Sequence, residues 1–344
     1  MNNIKDFSLV ELEAFLKKQG RPIFHARQIF SWLYQKNAAS FGAMSNLPAD
    51  LRKQLKDNFY LSEIKLARRQ ESRDLTEKFL FEFKDGSLIE AVSIPAEGRV
   101  TGCISTQVGC KFACCFCASG LAGFKRNLSC AQMLDQVLYL KNNSLSKKLT
   151  HLVFMGTGEP LDNYDNVIKA IRIINSKEGL NIGARRITIS SCGLIPGMKR
   201  MSGEGLQIEL SISLHSPDDK IRSELMPVNK KYPLPDLIAA CREYVAKTNR
   251  QITFEYILIK GLNADLKSAQ KLIRLLEGLN CKINLIPANI VPELGMEPPN
   301  KLDILYFRDY LAKHEVNVTL RKTRGQDIDA ACGQLRIKYP PRVS

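Results

Sequence analysis

Three cysteines close together are the residues of this sequence with the clearest capacity for chemistry. Cys110, Cys114 and Cys117 are separated by three and then by two residues. A zinc knuckle or ribbon needs a fourth Cys or His nearby, and none stands at the expected spacing. Three thiolates on a 4Fe–4S cluster instead leave one iron open, and that iron can chelate the amino and carboxylate groups of S-adenosylmethionine. We therefore expect cluster ligands; a cysteine-rich structural loop is the alternative.

A glycine-containing turn is the second candidate site. The segment Met155-Gly-Thr-Gly-Glu-Pro-Leu161 follows an apolar stretch that is typical of a buried strand. Its two glycines would let the backbone approach a ligand closely, and Glu159 offers an acceptor for an ammonium group or a ribose hydroxyl. The third glycine of a dinucleotide-binding fingerprint is missing. Alone the segment is typical of an ordinary strand-to-helix turn, but beside a cluster loop it favours binding of S-adenosylmethionine.

Hydroxyl and imidazole groups stand at the ends of two further predicted strands. Ser190 ends one of them, and Ser213, Leu214 and His215 end the next. A single histidine at a strand end is usually a structural hydrogen-bonding group. Because His215 is expected at the same end of the sheet as the three cysteines, contact with a cofactor is the better interpretation.

Two more cysteines could take part in redox or transfer chemistry. Cys332 lies in a polar stretch of small residues with basic residues upstream, namely Arg321, Lys322 and Arg324. Cationic neighbours lower the pKa of a thiol and raise its thiolate fraction. Cys103 precedes the three cysteines on a predicted strand, so its side chain can point into the barrel near Cys332. The other interpretation, a buried inert cysteine, fits better those in or beside apolar runs: Cys192, Cys241 and Cys281.

The elements that would position these residues alternate regularly from residue 101 onward. Strand patterns fall at 101–106, 150–155, 185–190, 207–213, 251–258, 282–286 and 315–320. Helical patterns fall near 129–141, 164–176, 233–247, 264–278 and 300–313. Such alternation predicts a parallel sheet, either open or closed into a full or partial barrel. The candidate residues follow the first four strands, where parallel folds collect their chemistry, so we expect one common site.

The part of the chain before this alternation is organised differently. Residues 1 to about 60 have helix-spaced apolar positions, with helices expected after Ser8 and around 26–35 and 48–59. The many lysines and arginines on these helices fit a module that grips an RNA backbone as well as they fit solvated helix faces. Between 64 and 95 the pattern has the period of strands, and Asp85-Gly86 predicts the turn of a β-hairpin.

Composition restricts the class of protein. The 344 residues carry a net charge of +15, and 44% of them are hydrophobic and 25% charged. So large a positive charge favours a polyanionic partner, most simply nucleic acid, over an anionic membrane. We expect neither a secretory signal nor a membrane span, because no run approaches the ~20 apolar residues that a span needs. With ten cysteines, these features predict reduced thiols and a cytoplasmic location.

Together these motifs resemble the RlmN/Cfr family of radical-SAM RNA adenosine methyltransferases along nearly the whole chain. The matching stretches are 89–95, 103–110 with the three cysteines, 155–161, 213–215, 282–287 and 324–335. The resemblance implies an α/β fold with a partial (β/α)6 TIM-like radical-SAM barrel. We expect a basic helical accessory RNA-binding domain at 1–62, a short β-hairpin linker at 63–98, the barrel at 99–330 and a C-terminal segment at 331–344 that carries Cys332.

The resemblance also implies roles for individual residues. It makes Cys110, Cys114 and Cys117 the ligands of the 4Fe–4S cluster. The S-adenosylmethionine site would be lined by Gly158, Glu159, Ser190, Ser213, Leu214, His215 and Asn289. Cys332 would carry the methyl group, Cys103 would resolve the intermediate, and Glu90 would accept a proton. From the sequence alone, however, Glu90 is an outward-facing residue on a hairpin strand.

The implied activity is methylation of C2 of an adenosine in the peptidyl-transferase centre of 23S rRNA, through S-methylation of Cys332 and a methylene radical. Transfer RNA is a further candidate substrate, a flavodoxin- or ferredoxin-type protein is the implied electron donor, and we expect a monomer. Pro160 and the stretch 321–325 favour the C2 branch, whereas Thr157 and Ala288 depart from residues common in the family. Two alternatives stay open: a Cfr-type C8 methyltransferase and a non-catalytic iron–sulfur ribosome-assembly factor.

Overall fold

The computed structural model describes residues 1–61, 64–145 and 149–335. Its strands are β1 (Asn2–Asn3), β2 (Phe59–Tyr60), β3 (Lys65–Glu71), β4 (Glu77–Glu82), β5 (Leu88–Ala96), β6 (Arg99–Cys103), β7 (Gln107–Gly109), β8 (Phe124–Asn127), β9 (His151–Phe154), β10 (Ile187–Ser191), β11 (Glu209–Ser213), β12 (Ile252–Leu258), β13 (Cys281–Pro287) and β14 (Val318–Leu320). Its helices are α1 (Leu9–Lys18), α2 (Phe24–Phe30), α3 (Ala49–Asn58), α4 (Cys130–Asn143), α5 (Tyr164–Asn175), α6 (Ile195–Met201), α7 (Asp219–Leu225), α8 (Leu234–Thr248), α9 (Leu266–Leu276) and α10 (Lys301–Lys313). None of the helices in these ranges is long and apolar enough to cross a membrane. Of the predicted C-terminal segment, residues 336–344 lie outside the described residues.

One sheet of ten strands organises the described residues. Its order in space is β14-β13-β12-β11-β10-β9-β6-β5-β4-β3. In this spatial order, every neighbouring pair between β6 and β14 is parallel. Helices connect these strands along the chain, as the alternation predicts. Parallel pairing requires such crossover connections. The predicted α/β fold with a partial barrel is therefore confirmed.

Side chains that alternate along the parallel strands separate an apolar outer face from a polar inner face. On β11, β12 and β13, Ile212, Phe254 and Ile283 share a register and are fully buried in the same core as the apolar residues of the helices. The adjacent positions Ser213 and Glu255 are paired on the opposite face. The apolar face packs against the helices. The polar face is therefore the one that can carry an active site.

Three antiparallel strands, β3 to β5, extend the sheet beyond β6. The predicted hairpin is confirmed between β4 and β5. β5 also pairs with β6 through Val92 and Cys103, so the strands of the hairpin continue the main sheet. On the outer face, Phe79 of β4 packs edge to face against Tyr139 of α4. Continuous pairing thus places hairpin residues directly beside the barrel strands.

The N-terminal helices are fastened to the barrel helices by ionic contacts. Ser8 caps α1 in a capping box with Glu11, as its position predicts. Glu11 also pairs with Lys169 of α5 at 2.8 Å. Lys5 and Asp135 of α4 form a buried ion pair. Because a buried charge without its partner is costly, this last contact fixes the N-terminal module against α4.

Candidate active site

The three candidate ligands lie in one loop, residues 110–117, which we call the three-cysteine loop. It follows β6 and β7, at the carboxyl ends of the parallel strands. Gly109 precedes the loop with a φ of +76°, and a Cβ there would lie 1.7 Å from the carbonyl oxygen of Gly123, so only glycine fits. Within the loop, the N–H of Cys115 donates to the carbonyl of Leu225 at 3.0 Å. The close approach to Gly123 and the hydrogen bond to Leu225 therefore fix the backbone of the loop.

Burial raises the pKa of all three candidate ligand thiols. The pKa of Cys110 rises to about 11, and the pKa values of Cys114 and Cys117 are raised for the same main reason. Cys114 is electrostatically coupled to both of the others. In the described ranges, no three His, Cys, Asp or Glu side chains are close enough together to hold one metal ion. A 4Fe–4S cluster does not require its ligands to converge on one metal ion, because each thiolate binds a different iron.

The glycine-containing turn packs closely on the protein's own backbone. A Cβ at Gly156 would lie 2.6 Å from the backbone of Ile104. A Cβ at Gly158 would lie 2.9 Å from the backbone nitrogen of Gln107, and Gly158 has a φ of +106°. Both glycines therefore let the turn seat against the segment that follows β6.

Glu159 connects this turn to the end of β10. Its two carboxylate oxygens accept hydrogen bonds from the N–H groups of Leu161 at 2.9 Å and Cys192 at 2.8 Å. Burial raises the pKa of Glu159, whereas these hydrogen bonds lower it. The carboxylate lies within electrostatic reach of Cys110 and Cys114. The side chains of Cys192 and Ser191 also donate hydrogen bonds to Glu159, so this buried carboxylate is held firmly beside the three-cysteine loop.

His215 lies just beyond β11 and is neutral. Its Nδ1 accepts a hydrogen bond of 3.1 Å from the N–H of Ile257. Burial, assisted by the Arg222 guanidinium, lowers the pKa of His215 to about 3. Nε2 therefore carries the ring proton. The ring also meets Phe116 of the three-cysteine loop edge to face at 4.6 Å, while Leu214 beside it is fully buried in the core.

The inner face of the sheet carries further polar groups from the predicted set. Ser190 and Ser213 lie at the ends of β10 and β11, and both are half-buried. Glu255 pairs in register with Ser213, and its carboxylate accepts a hydrogen bond of 2.8 Å from Asn284. Burial raises the pKa of Glu255, and the nearby Arg321 guanidinium opposes that shift. The serines, a carboxylate and a guanidinium thus share one surface.

The structure brings Cys103 and Cys332 together on this inner face. Burial raises the pKa of Cys103 to about 12, with Cys332 as the second cause and Arg321 acting in the opposite direction. The pKa of Arg321 is itself raised chiefly by Cys332. Cys103 is only 7% exposed, whereas Cys332 is half-buried. A guanidinium close to both thiols is suited to stabilise a thiolate.

Residues 324–335, which we call the Cys332 loop, are fastened to both sides of the site. Asn289, which follows β13, donates from Nδ2 to the carbonyl of Cys332 at 2.9 Å. The N–H of Ala118 donates to the carbonyl of Gly333 at 2.7 Å. Because Ala118 directly follows Cys117, the Cys332 loop is joined to the three-cysteine loop, and Cys117 lies within electrostatic reach of Cys332.

Glu90 lies on the inner face, so its outward placement expected from the sequence is wrong. It is 5% exposed, and its Oε1 lies 3.2 Å from the Nζ of Lys78. Apolar residues of β5, such as Ile89, belong to the core that includes α4. The other face of β5 is covered by the Cys332 loop, since Val92 clusters with Ala330. Both faces of this strand are therefore buried.

Known proteins with similar sequences cover the chain from end to end. Residues 104–273 match the model of the Radical SAM superfamily, and residues 2–61 match that of the Ribosomal RNA large subunit methyltransferase N-terminal domain. The chain is 45% identical over 340 residues to a probable dual-specificity RNA methyltransferase RlmN of Thermoanaerobacter sp. (strain X514), covering 98% of this chain and 99% of that relative. The chain belongs to the RlmN family. The relative of the same name in Geobacillus kaustophilus is 46% identical over 338 residues, covering 98% and 93% of the two chains.

A solved structure agrees with this membership of the RlmN family. The crystal structure of a radical SAM methyltransferase from Sphaerobacter thermophilus is similar with a TM-score of 0.93 and 43% sequence identity. The match covers 98% of this chain and 99% of that chain. The structural similarity therefore extends over nearly the whole chain and is not confined to the barrel.

As a radical SAM protein, this RlmN-family chain uses a 4Fe–4S cluster and S-adenosylmethionine, and its donor set fits both. The three thiols of the three-cysteine loop lie within electrostatic reach of one another and could bind three irons of such a cluster. Glu159 is a buried carboxylate within electrostatic reach of those thiols, and its charge could bind the ammonium group of S-adenosylmethionine. The neutral imidazole of His215 packs on the same loop. The candidate cofactor-binding residues Glu159 and His215 therefore both lie next to the three-cysteine loop.

Two residues near the site of this RlmN-family chain were not found from the sequence. Arg222 is fully buried and donates to the carbonyls of Cys192 and Ser213 at 3.0 Å each, so it holds the ends of β10 and β11 together. In the sequence it has the pattern of an ordinary surface charge, and no local signal marks it. Cys192, expected to be an inert cysteine, lies within electrostatic reach of Glu159 and Cys114.

Proposed function

We propose that this protein is a dual-specificity RNA methyltransferase that methylates C2 of an adenosine in 23S rRNA and of an adenosine in tRNA. The observation that carries the proposal is that Cys332 lies within electrostatic reach of both Cys103 and Cys117 of the three-cysteine loop. The relatives' printed name, dual-specificity RNA methyltransferase RlmN, supports the substrate class. Two thiols beside a cluster loop provide a carrier for a methyl group and a second thiol to release it.

The position of the reacting carbon explains why a thiol carrier is useful. Adenine C2 lies between two ring nitrogens and is electron-poor, so it does not attack the methyl group of a sulfonium as a nucleophile. The cluster and S-adenosylmethionine, when bound, supply the one-electron chemistry that such a carbon requires. The task of the protein is then to present a carbon atom to C2, to accept a proton and to release the product.

Cys332 is proposed as the carrier and Cys103 as the resolving thiol. Cys332 Sγ accepts the methyl group of one S-adenosylmethionine by displacement, which leaves S-adenosylhomocysteine. Once the methyl carbon has lost one hydrogen atom and bonded to C2, and C2 has lost its proton, Cys103 Sγ attacks Cys332 Sγ as a thiolate. The electron pair of the broken carbon–sulfur bond stays on the carbon, which takes a proton and becomes the methyl group of the product, and the two sulfurs are left as a disulfide. A thiol reductant must reduce that disulfide before the next turnover. The burial of Cys103 supports this order, because a thiol with a pKa of about 12 is a poor acceptor for the methyl group.

Glu90 is proposed as the acceptor of the C2 proton. It is buried on the inner face of β5, and Val92 two residues later pairs with Cys103 of β6. Residues two apart on a strand share a face, so Glu90 and Cys103 face the same side of the sheet. A carboxylate in this position can serve as a general base for the carbon that Cys332 holds.

The remaining partners are proposed from charge and chemistry. The basic helices of residues 1–61 would hold the RNA backbone, which positions the substrate without specifying it. A flavodoxin- or ferredoxin-type protein would supply electrons, and the enzyme would work as a monomer in the cytoplasm. The relatives bear the RlmN name, which favours C2 over the C8 position. A non-catalytic assembly factor is not favoured, because it would have no use for two free thiols within electrostatic reach of each other.

Anaerobic reconstitution tests this function directly. The protein is loaded with iron and sulfide, and then incubated with a naked 23S rRNA fragment, isotopically labelled S-adenosylmethionine and a reductant. Mass spectrometry of the digested RNA is expected to find labelled 2-methyladenosine. Labelled 8-methyladenosine would contradict the C2 assignment, and an intact cluster without any RNA methylation would contradict the enzyme. The Cys332→Ala variant is the control: it should keep the absorption spectrum of the cluster and lose methylation.

A further inference from the structure

Lys78 is a buried cation that contacts both Glu90 and the Cys332 loop. Its Nζ lies 3.2 Å from Glu90 Oε1, and the two side chains are only 7% and 6% exposed. The same Nζ donates to the carbonyl of Asp329 at 3.2 Å, three residues before Cys332 in the chain. A buried ammonium group is costly unless its three N–H donors find partners. The carboxylate and the carbonyl are therefore what makes this position possible.

Strand register places this contact beside the two reactive thiols. Lys78 of β4 pairs with Val92 of β5, and Val92 pairs with Cys103 of β6. These three side chains consequently lie in one row on the inner face of the sheet. Ala330 and Leu335 of the Cys332 loop cluster with Val92 and Cys103, so the loop lies over this row.

A second contact fixes the start of the Cys332 loop to the same hairpin. In the turn that connects β3 and β4, Ser72 Oγ donates to the Asp327 carboxylate at 2.5 Å. The N–H of Gly325 donates to the Asp74 carboxylate at 3.1 Å. These two hydrogen bonds hold the loop close to the sheet. Lys78 joins the loop to the carboxylate through one side-chain atom.

We propose that Lys78 is a positioning residue that couples Glu90 to the Cys332 loop, so that the carrier thiol and the proton acceptor are held in a fixed relation. The roles of Cys332 as carrier and Glu90 as proton acceptor rest on the proposed function. The coupling between Glu90 and the Cys332 loop is a property of the protein without cofactors. Lys78 does not touch the reacting atoms; it acts through Glu90 and the backbone of Asp329. Loss of either contact should loosen the loop, because the ammonium group then lacks one of the partners that hold it in place.

Hydrogen exchange of the apoprotein tests the coupling without any turnover. Lys78→Met removes the ammonium group at similar length, and Glu90→Gln removes the negative charge from the opposite partner at the same size. Both should speed amide exchange in the peptides that cover 328–335 by about tenfold, because local opening becomes more frequent. Lys65→Met is the matched control: Lys65 lies on β3 of the same extension, is exposed and pairs with Glu82 at 3.6 Å. It should leave the exchange of 328–335 unchanged.

The outcomes separate coupling from simple anchoring. If Lys78→Met and Glu90→Gln both exchange at the wild-type rate, the proposal is overturned. If Lys78→Met loosens the loop and Glu90→Gln does not, Lys78 anchors the loop but does not couple it to Glu90, and the proposal is again overturned. Should Lys78→Met fail to fold, Glu90→Gln alone decides between the same results.

Turnover of the reconstituted enzyme supplies the second measurement. Lys78→Met should lower the rate constant of RNA methylation at least tenfold with little change in the KM for RNA, while a covalent protein–RNA adduct accumulates on denaturing gels. Lys78→Arg keeps the charge and the donors, and should recover most of the rate. A wild-type rate in Lys78→Met overturns the inference alone. Absence of methylation in the wild-type protein overturns the proposed function instead, and the exchange data still test the coupling.

Discussion

The side-chain amide of Asn289 donates a hydrogen bond of 2.9 Å to the carbonyl oxygen of Cys332. Asn289 lies two residues beyond the carboxyl end of β13, so the bond ties the backbone of the predicted carrier residue to the end of a barrel strand. Ala118 fixes the next residue, Gly333, to the three-cysteine loop. A strand end and a loop therefore define where the Cys332 thiol lies, although the thiol itself is in an irregular segment.

The Asn289 bond predicts the first mutational effect. Asn289→Asp keeps the size of the side chain and replaces its donor by an acceptor, which leaves the Cys332 carbonyl without this partner. The unmade bond should cost about 1–3 kcal/mol of local stability, so the Cys332 loop should open more often. We expect hydrogen exchange at 330–335 to quicken by at least tenfold. Exchange at the wild-type rate would mean that the loop is held mainly by its other contacts.

A methyl group at Gly158 should disrupt the turn that carries Glu159. Gly158→Ala places a Cβ 2.6 Å from the Gln107 Cβ in a backbone with a φ of +106°, and strained backbone alone costs about 1–3 kcal/mol. Chemical denaturation should therefore show a clear loss of stability. Gly183→Ala is the control, because Gly183 has no left-handed φ and nothing lies within 4 Å of its Cβ position. Equal stability of the two variants would contradict the packing described for this turn.

His215 should make the stability of the fold depend on pH. Its pKa is about 3 in the folded protein, compared with about 6.5 for an unfolded histidine. Between those values the unfolded chain binds more protons, so stability falls as the pH is lowered through that window. From pH ~7 to ~5 the His215 contribution should amount to about 2 kcal/mol at most. Urea denaturation at both pH values should find a smaller change in the free energy of unfolding in His215→Gln than in the wild type. An identical change would contradict a lowered pKa of His215 in the folded protein.

Alkylation should distinguish the two proposed reactive thiols in the apoprotein. Cys103 is 7% exposed with a pKa of about 12, whereas Cys332 is half-buried. Because the thiolate is the reactive form, iodoacetamide at pH ~8 should label Cys332 at least tenfold faster than Cys103. Peptide mass spectrometry measures both rates. Cys241, buried with a pKa also raised to about 12, is the slow reference. Faster labelling of Cys103 would argue against Cys332 as the first acceptor of the methyl group.

The fold was largely predictable because the parallel strands have strong apolar outer positions. Residues such as Ile212 and Phe254 pack on helices whose own patterns are equally periodic. Two short helices, α6 and α7, were not predicted, and each has only seven residues. The second and third residues of α6 are Pro196 and Gly197, which mark a turn in any local interpretation. Tertiary packing made a helix from a segment with turn signals.

The site was predictable only where its residues follow strands. The ends of parallel strands meet at one edge, so the sequence could indicate that Cys110, Glu159 and His215 share a site. It could not indicate that Glu90 is buried, because the cover of β5 comes from the Cys332 loop. The contact that shows this, from Lys78 to the Asp329 carbonyl, spans 251 residues of chain. Local periodicity carries no information about so distant a neighbour.

The most direct test of the central claim is the fate of RNA with the Cys103→Ala variant. If Cys332 carries the methyl group and Cys103 releases the product, the reconstituted variant should form a covalent adduct between Cys332 and adenosine and release almost no methylated RNA. Mass spectrometry of the nuclease- and protease-digested adduct should place the nucleoside on the peptide that contains Cys332. Release of 2-methyladenosine RNA at the wild-type rate, without an adduct, would contradict the account.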